Sequence, residues 1–411
     1  MSQIKKLFVS LHIENEIHEV GEMVVDETQV YFRYRPDFLT SSLNLSPFKL
    51  KFNSEIQSAE HVPFEGLFGI FADSLPDGWG RLLLDRMLIN KGYDLSSINM
   101  LDRLAVVGSQ GMGALVYRPE ILDFEHRFEQ LDLDEFARAS ENILQGNAED
   151  LVEELYHLGG SSGGARPKIL VGFNPTNQQL MAKRNSLLEG YEPWMIKFPS
   201  TFDQKDIANI EYAYYLMAKD AGIAISDSLL LKGTSGTEYF ATKRFDFNKN
   251  GRLHMHSAAG LMHDNFRLTN MDYGHLMDCA FKLEKDIHAA EKVLRLAMFN
   301  VLSCNKDDHS KNISFLMDSS GKWQLAPAYD LTYSQSTHGF QSMAVAGESL
   351  QPGAKHFQEL ANYFHLKDVG VMKDQVAEIL NLWPTYSLKA GVQTDSSRII
   401  QKSIQKKLKE I

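Results

Sequence analysis

The chain has 411 residues, of which 44% are hydrophobic and 23% charged, and a formal net charge of −11 at pH 7. That length exceeds one ordinary core and predicts two or three subdomains, while the composition excludes a disordered or fibrous chain. The acidic balance argues against direct binding to nucleic acid, which needs a basic face, and no apolar run reaches the roughly 18–20 residues of a membrane span. The opening stretch MSQIKKLFVSLHIENE lacks the apolar centre of a signal peptide. Cys279 and Cys304 are the only cysteines, so no disulfide framework is expected, and the cytoplasm is the expected compartment.

Leu7, Val9, Leu11 and Ile13 alternate with polar neighbours, as do Val30, Phe32 and Tyr34, and residues 21–25 supply a strand between them. A small antiparallel sheet should therefore open the chain. In LFGIFADSLPDGWGRLLLDRML, Pro76 and Asp77 read as a helix start, with Leu82, Leu83 and Met87 on its buried side. Gly108, Gly111 and Gly113 separate two strand-like pieces, LAVV and ALVY, and suit a tight turn better than a phosphate loop. Residues 123–158 are acidic, with apolar residues at helical spacing and solvated acidic faces.

The texture then changes. Gly159-Gly160-Ser161-Ser162-Gly163-Gly164-Ala165-Arg166-Pro167-Lys168 runs directly into the apolar ILVGF. Glycines without Cβ atoms let backbone N–H groups approach phosphate oxygens, although the spacing is not that of a P-loop; a flexible linker is the competing reading. Lys197 interrupts the short apolar strand WMIKFP and reads either as a lysine for nucleotide phosphates or as an edge-strand lysine facing solvent. Glu211, on a periodic helix over residues 207–221, is either its acidic partner or an ordinary surface glutamate. Two more strands, at Leu229–231 and Tyr239–Phe245, end at Asp246, where helical texture takes over. His254 and His256 lack further ligands nearby and read as polar loop histidines rather than a zinc site. The final helix carries an apolar stripe of Ile400, Ile404, Leu408 and Ile411 beside several lysines, most simply a solvated face.

Asp307 precedes Asn312 by five positions, and after an apolar run and a turn the chain returns through LAPAYD to Asp330. This is the order in which protein-kinase folds place a base, a metal-binding Asn and a metal-binding Asp. The glycine loop, strand lysine, helix glutamate and strand-to-helix junction precede it in kinase order. The expected fold is α+β, a bilobal protein-kinase-like fold with a β-rich N-terminal part and an all-helical C-terminal lobe. Its expected domains are residues 1–120, a kinase N-lobe at 121–245 and a C-lobe at 246–411.

GGARPKILV, MIKFPS, NIEYAYYLMAKDAGI, KRFDF, NKDDHSKNISF and LAPAYDL, with FADSLPDGWGR and GSQGMGAL upstream, resemble the signature blocks of HipA-family toxin serine/threonine kinases. The resemblance covers nearly the whole chain, from about residue 5 to residue 385. It implies that Asp307 is catalytic, that Asn312 and Asp330 hold Mg²⁺, and that Lys197 contacts ATP. It further implies an adenine hinge at Lys243 and Phe245, phosphate contacts from His309 and Lys311, and a nucleotide loop of Ser162, Gly163, Gly164, Ala165 and Arg166. Members phosphorylate proteins, in the best-known cases an aminoacyl-tRNA synthetase, and pair with a small helix-turn-helix antitoxin of the HipB kind that carries them to DNA. They autophosphorylate a loop serine. Gly160 stands where some members have that serine, so Ser162, ahead of Ser161, is the expected site here. A catalytically weak kinase-like module that binds a DNA-binding antitoxin is the alternative, with a small-molecule kinase a third.

Overall fold

The computed structural model describes residues 4–121, 131–147, 151–160, 163–182, 188–201, 203–268, 270–336 and 338–410. The first sheet forms as the alternation predicts. It contains β1 (Lys6–Ile13), β2 (Glu16–Asp26), β3 (Gln29–Tyr34) and the short β4 (Gln57–Ser58). Leu7, Val9, Leu11 and Ile13 are wholly buried on its inner face. Three helices follow: α1 (Gly69–Ala72), α2 (Gly78–Asn90) and α3 (Met100–Val107). β5 (Leu115–Arg118) then closes the sheet in the order β4-β3-β2-β1-β5. The LAVV piece expected as a strand is instead the end of α3. A capping box between Asn99 and Asp102 starts that helix, and its residues Leu101 to Val107 are all buried, which hides any helical period.

α4 (Leu133–Leu144) and α5 (Val152–Leu155) realise the described part of the acidic helical stretch, of which residues 123–130 and 148–150 lie outside the described residues. A second antiparallel sheet comprises β6 (Lys168–Asn174), β7 (Gln179–Ala182), β8 (Glu192–Lys197), β9 (Ser228–Lys232) and β10 (Glu238–Lys243), with α6 (Ile207–Asp220) between β8 and β9. Its order, β7-β6-β8-β10-β9, makes β8 the central strand. Lys197 is therefore not an edge lysine.

The expected switch to helix at Asp246 comes later. A two-stranded hairpin of β11 (Phe247–Asn248) and β12 (Gly251–Arg252) intervenes, then β13 (His254–Ser257). Helices begin only with α7 (Ala258–Met262), α8 (Tyr273–Glu284) and α9 (Ile287–Leu302). β13 pairs with β14 (Ser314–Met317), which pairs with β15 (Trp323–Leu325), so the C-terminal lobe is not helical throughout. α10 (Ala354–Tyr363), α11 (Val369–Asn381), α12 (Trp383–Lys389) and α13 (Thr394–Lys409) complete it. Ile400 and Ile404 are buried as the stripe predicts, whereas Ile411 lies outside the described residues. Among the described residues no helix is long and apolar enough to cross a membrane.

His254 and His256 are corrected from loop histidines to wholly buried strand residues. The HMHS sequence reads as polar because histidine counts as polar, yet each ring is anchored to a neighbouring segment. His254 Nε2 donates to the Leu45 carbonyl at 3.0 Å, and His256 Nδ1 donates to Asp73 at 2.6 Å. Burial drops the His254 pKa to about 3, so it stays neutral.

The GSQGMG turn wraps a half-buried arginine. Arg252 donates to the carbonyls of Ser109, Gly111 and Gly113 at 3.0, 2.7 and 2.5 Å, and Asp246 accepts the Gly113 N–H at 2.8 Å. Arg252→Met leaves three carbonyls without that donor and is expected to cost about 3 kcal/mol, read from urea unfolding midpoints at an unchanged slope.

Candidate functional site

Register explains why charge collects between the lobes. β6 and β8 pair so that Lys168 lies directly opposite Lys197, and Phe240 of β10 lies opposite Lys197 on the other side. Like charges facing each other across a ladder are destabilising, and both lysines are buried, at 4% and 8% exposure. They persist because carboxylates meet them. The Lys197 ammonium bridges Glu211, on the buried face of α6, and Asp330. The Lys168 ammonium donates to the Gly163 carbonyl. Burial opposes the Asp330 charge, but Lys197 and then Lys168 overcome it and hold its carboxyl far below the ordinary range. Asp330 itself sits at φ +55°, a left-handed conformation that costs a non-glycine residue and recurs where a site dictates backbone geometry.

The loop between α9 and β14 presents the other groups. Asp307 projects its carboxylate outward, with 65% of the side chain exposed. Its backbone is fixed: the N–H donates to Ser334 Oγ at 2.9 Å, and its carbonyl accepts from Asn312 Nδ2 at 2.8 Å. That bond spends the Asn312 amide nitrogen and leaves its oxygen available as a ligand. His309 Nε2 lies 3.6 Å from Asp307. Asp308, by contrast, is structural. It is buried and accepts from Tyr273, Gln341 and Ser342 at 2.9, 3.1 and 2.8 Å, and burial lifts its carboxyl to about 6.

Lys168, Lys197, Glu211, Asp307, His309, Asn312 and Asp330 all line one cavity of about 600 Å³, and Asp308 does not. Gly163, Gly164, Ala165 and Arg166 of the glycine loop, Lys243 at the end of β10 with Phe245 just beyond it, and Lys311 complete its lining. Arg166 is fixed by a two-pronged pair with Asp203, at 2.9–3.1 Å.

The HipA-like C-terminal domain model matches residues 160–383, and the HipA N-terminal domain model matches residues 11–118. The chain belongs to the HipA family. Among solved structures, the Shewanella oneidensis MR-1 complex of HipA, HipB and operator DNA contains a chain 17% identical to this one. The match covers 98% of this chain and 96% of that one at a TM-score of 0.69, so the two share a fold. The Helicobacter pylori proinflammatory kinase CtkA is 13% identical over 56% of this chain and 90% of its own, at a TM-score of 0.36, too slight a likeness to carry weight.

Within this HipA-family fold, every described candidate is brought to the same cavity. Ser161 and Ser162, singled out for modification, lie outside the described residues. The glycine loop divides in two. A Cβ on Gly159 would collide with the Lys168 carbonyl, so that glycine serves packing, whereas Gly164, at φ +95°, borders the cavity. Sequence reasoning missed Lys168, Asp203 and Ser334. Lys168 was open to the argument applied to Lys197, a cation abutting an apolar strand; Asp203 and Ser334 act through contacts that no local pattern announces.

Proposed function

We propose that this HipA-family chain is a Mg²⁺- and ATP-dependent serine/threonine protein kinase, the toxin of a module whose antitoxin is a small helix-turn-helix protein of the HipB kind. The observation that carries the reading is the Lys197–Glu211–Asp330 cluster facing Asp307 and Asn312 across one cavity. Two opposed buried lysines with Arg166 beside them form a site for an anion of several charges. A loop of Gly163 and Gly164 leaves room beside them for phosphates. The donor set also fits Mg²⁺. Among the described residues no three His, Cys, Asp or Glu side chains group to hold a metal, and Mg²⁺ uses one or two carboxylates completed by phosphates and water. Asp330 and the Asn312 oxygen would hold it, and the ion would neutralise charge on the transferred phosphoryl group.

Within this reading Lys197 and Lys168 bind the nucleotide's phosphates, Glu211 orients Lys197, and Asp307 takes the proton of the acceptor hydroxyl. Lys243 and Phe245 border the base pocket, and His309 and Lys311 flank the phosphates. The acceptor is a protein of the translation apparatus such as an aminoacyl-tRNA synthetase, and Ser162 or Ser161 is the self-modified residue. A phosphate there adds about −1.5 to −2 charges to a loop that faces phosphates, which would weaken ATP binding. Association with DNA runs through the antitoxin, in keeping with the net charge of −11, and the chain works in the cytoplasm.

The test is incorporation of label from γ-labelled ATP with Mg²⁺, into the protein itself or a translation extract. Asp330→Asn should lower incorporation at least about a hundredfold. A wild-type protein that neither binds nor transfers the nucleotide would overturn the proposal.

A further inference from the structure

Asp77-Gly78-Trp79-Gly80 opens α2, within the part of the chain matched by the HipA N-terminal domain, yet it reaches the cleft. Asp77 occupies the N-cap position of this thirteen-residue helix, where an aspartate ordinarily accepts N–H groups of its own first turn. It makes no such bond. Its carboxylate instead accepts the Gly164 N–H and lies 2.5 Å from the Lys311 ammonium. One side chain thus joins the glycine loop to the turn that carries Asn312.

The surrounding contact is backbone on backbone. The Trp79 N–H donates to the Gly164 carbonyl at 3.2 Å. A Cβ on Gly78 would stand 2.7 Å from Ala165 Cα, and one on Gly80 would collide with the Gly160 carbonyl. Both glycines of the DGWG motif are accounted for by this approach. Burial opposes the Asp77 charge; Lys311 and then the Gly164 N–H outweigh it and hold the carboxyl below its ordinary value. With 15% and 18% of their side chains exposed, Asp77 and Lys311 are little screened by salt.

We propose that Asp77 is a positioning residue, through which the N-terminal domain latches the glycine loop over the cleft in the conformation that receives nucleotide phosphates. The consequence for nucleotide rests on the reading of the cleft as an ATP site; the latch does not. Two variants break the contact by different means. Asp77→Asn removes the charge at constant shape, and Gly78→Ala inserts a methyl group against Ala165.

Hydrogen exchange is measured on the peptide spanning residues 163–168, beside Mg-ATP affinity by calorimetry and labelling kinetics. Both variants are expected to speed exchange in that peptide about tenfold or more and to weaken Mg-ATP by a similar factor. KM for ATP should carry the effect, with kcat at saturating ATP far less changed. Unchanged exchange in that peptide overturns the proposal, as does loosening that spreads equally over the first sheet. A faster-exchanging loop in a protein whose wild type binds no Mg-ATP supports the latch and overturns the kinase reading.

Discussion

Asp307→Asn is expected to slow phosphotransfer roughly 10²- to 10⁴-fold while leaving Mg-ATP affinity within about twofold. The separation follows from how the residue is held. Its main chain is pinned by the Ser334 and Asn312 side chains, and Asn keeps those bonds because residue 307 contributes only backbone atoms to them. Its carboxylate is exposed at the cleft, so under the proposed kinase reading the substitution removes the proton acceptor and little else. Partial burial by the cleft walls raises its carboxyl above the ordinary value, against the pull of His309, which would suit the proposed proton acceptor. Asp308→Asn is the control. Its neighbours Tyr273, Gln341 and Ser342 make it a strut of the loop, so its loss should appear mainly in unfolding experiments. Single-turnover labelling of both variants decides the matter. A fully active Asp307→Asn protein beside an inactive, well-folded Asp308→Asn protein would reassign the base.

The legible parts of the chain are those that a local pattern announces. Alternation at Leu7, Val9, Leu11 and Ile13 places the first sheet because one face is buried and side chains alternate. Asp307, Asn312 and Asp330, which a loop and a hairpin keep close along the chain, are brought to one cavity. What stayed hidden depends on pairing between distant segments. Nothing local says that β6 and β8 align Lys168 with Lys197, that Asp77 abandons its own helix for Gly164, or that a histidine-bearing strand completes a sheet with β14. The same limit explains Glu211. Its sequence context is that of a surface helix, and only the central place of β8 turns that face inward.

Lys197→Met should destabilise the nucleotide-free, metal-free protein by about 3–5 kcal/mol at pH 7, the cost of leaving buried carboxylates without their cation. The methionine fills a similar volume, so packing contributes little. Two effects oppose each other. Glu211 and Asp330 lose the shared ammonium, while Lys168 is relieved of the like charge opposite it. The first dominates, because Lys168 is held by the Gly163 carbonyl and does not replace the bridge.

The pH dependence distinguishes this account from a packing defect. In the wild type, the Asp330 carboxyl is depressed by Lys197, so its stabilisation is present above the ordinary aspartate value near 3.9 and is lost as pH falls through the folded value. The Lys197 ammonium is raised by Asp330 and Glu211 against burial, so its share is complete below the ordinary lysine value near 10.4 and is lost as pH rises through the folded value. Between those limits the wild-type contribution is flat. In the variant, protonation relieves the facing carboxylates, so its stability should rise as pH falls from 7 to 5 and the gap to wild type should narrow. Urea unfolding at pH 7 and pH 5, with a chelator present, measures both gaps. A loss below 1 kcal/mol, or an equal gap at the two pH values, would mean that Lys197 is not the cation that holds this cluster together.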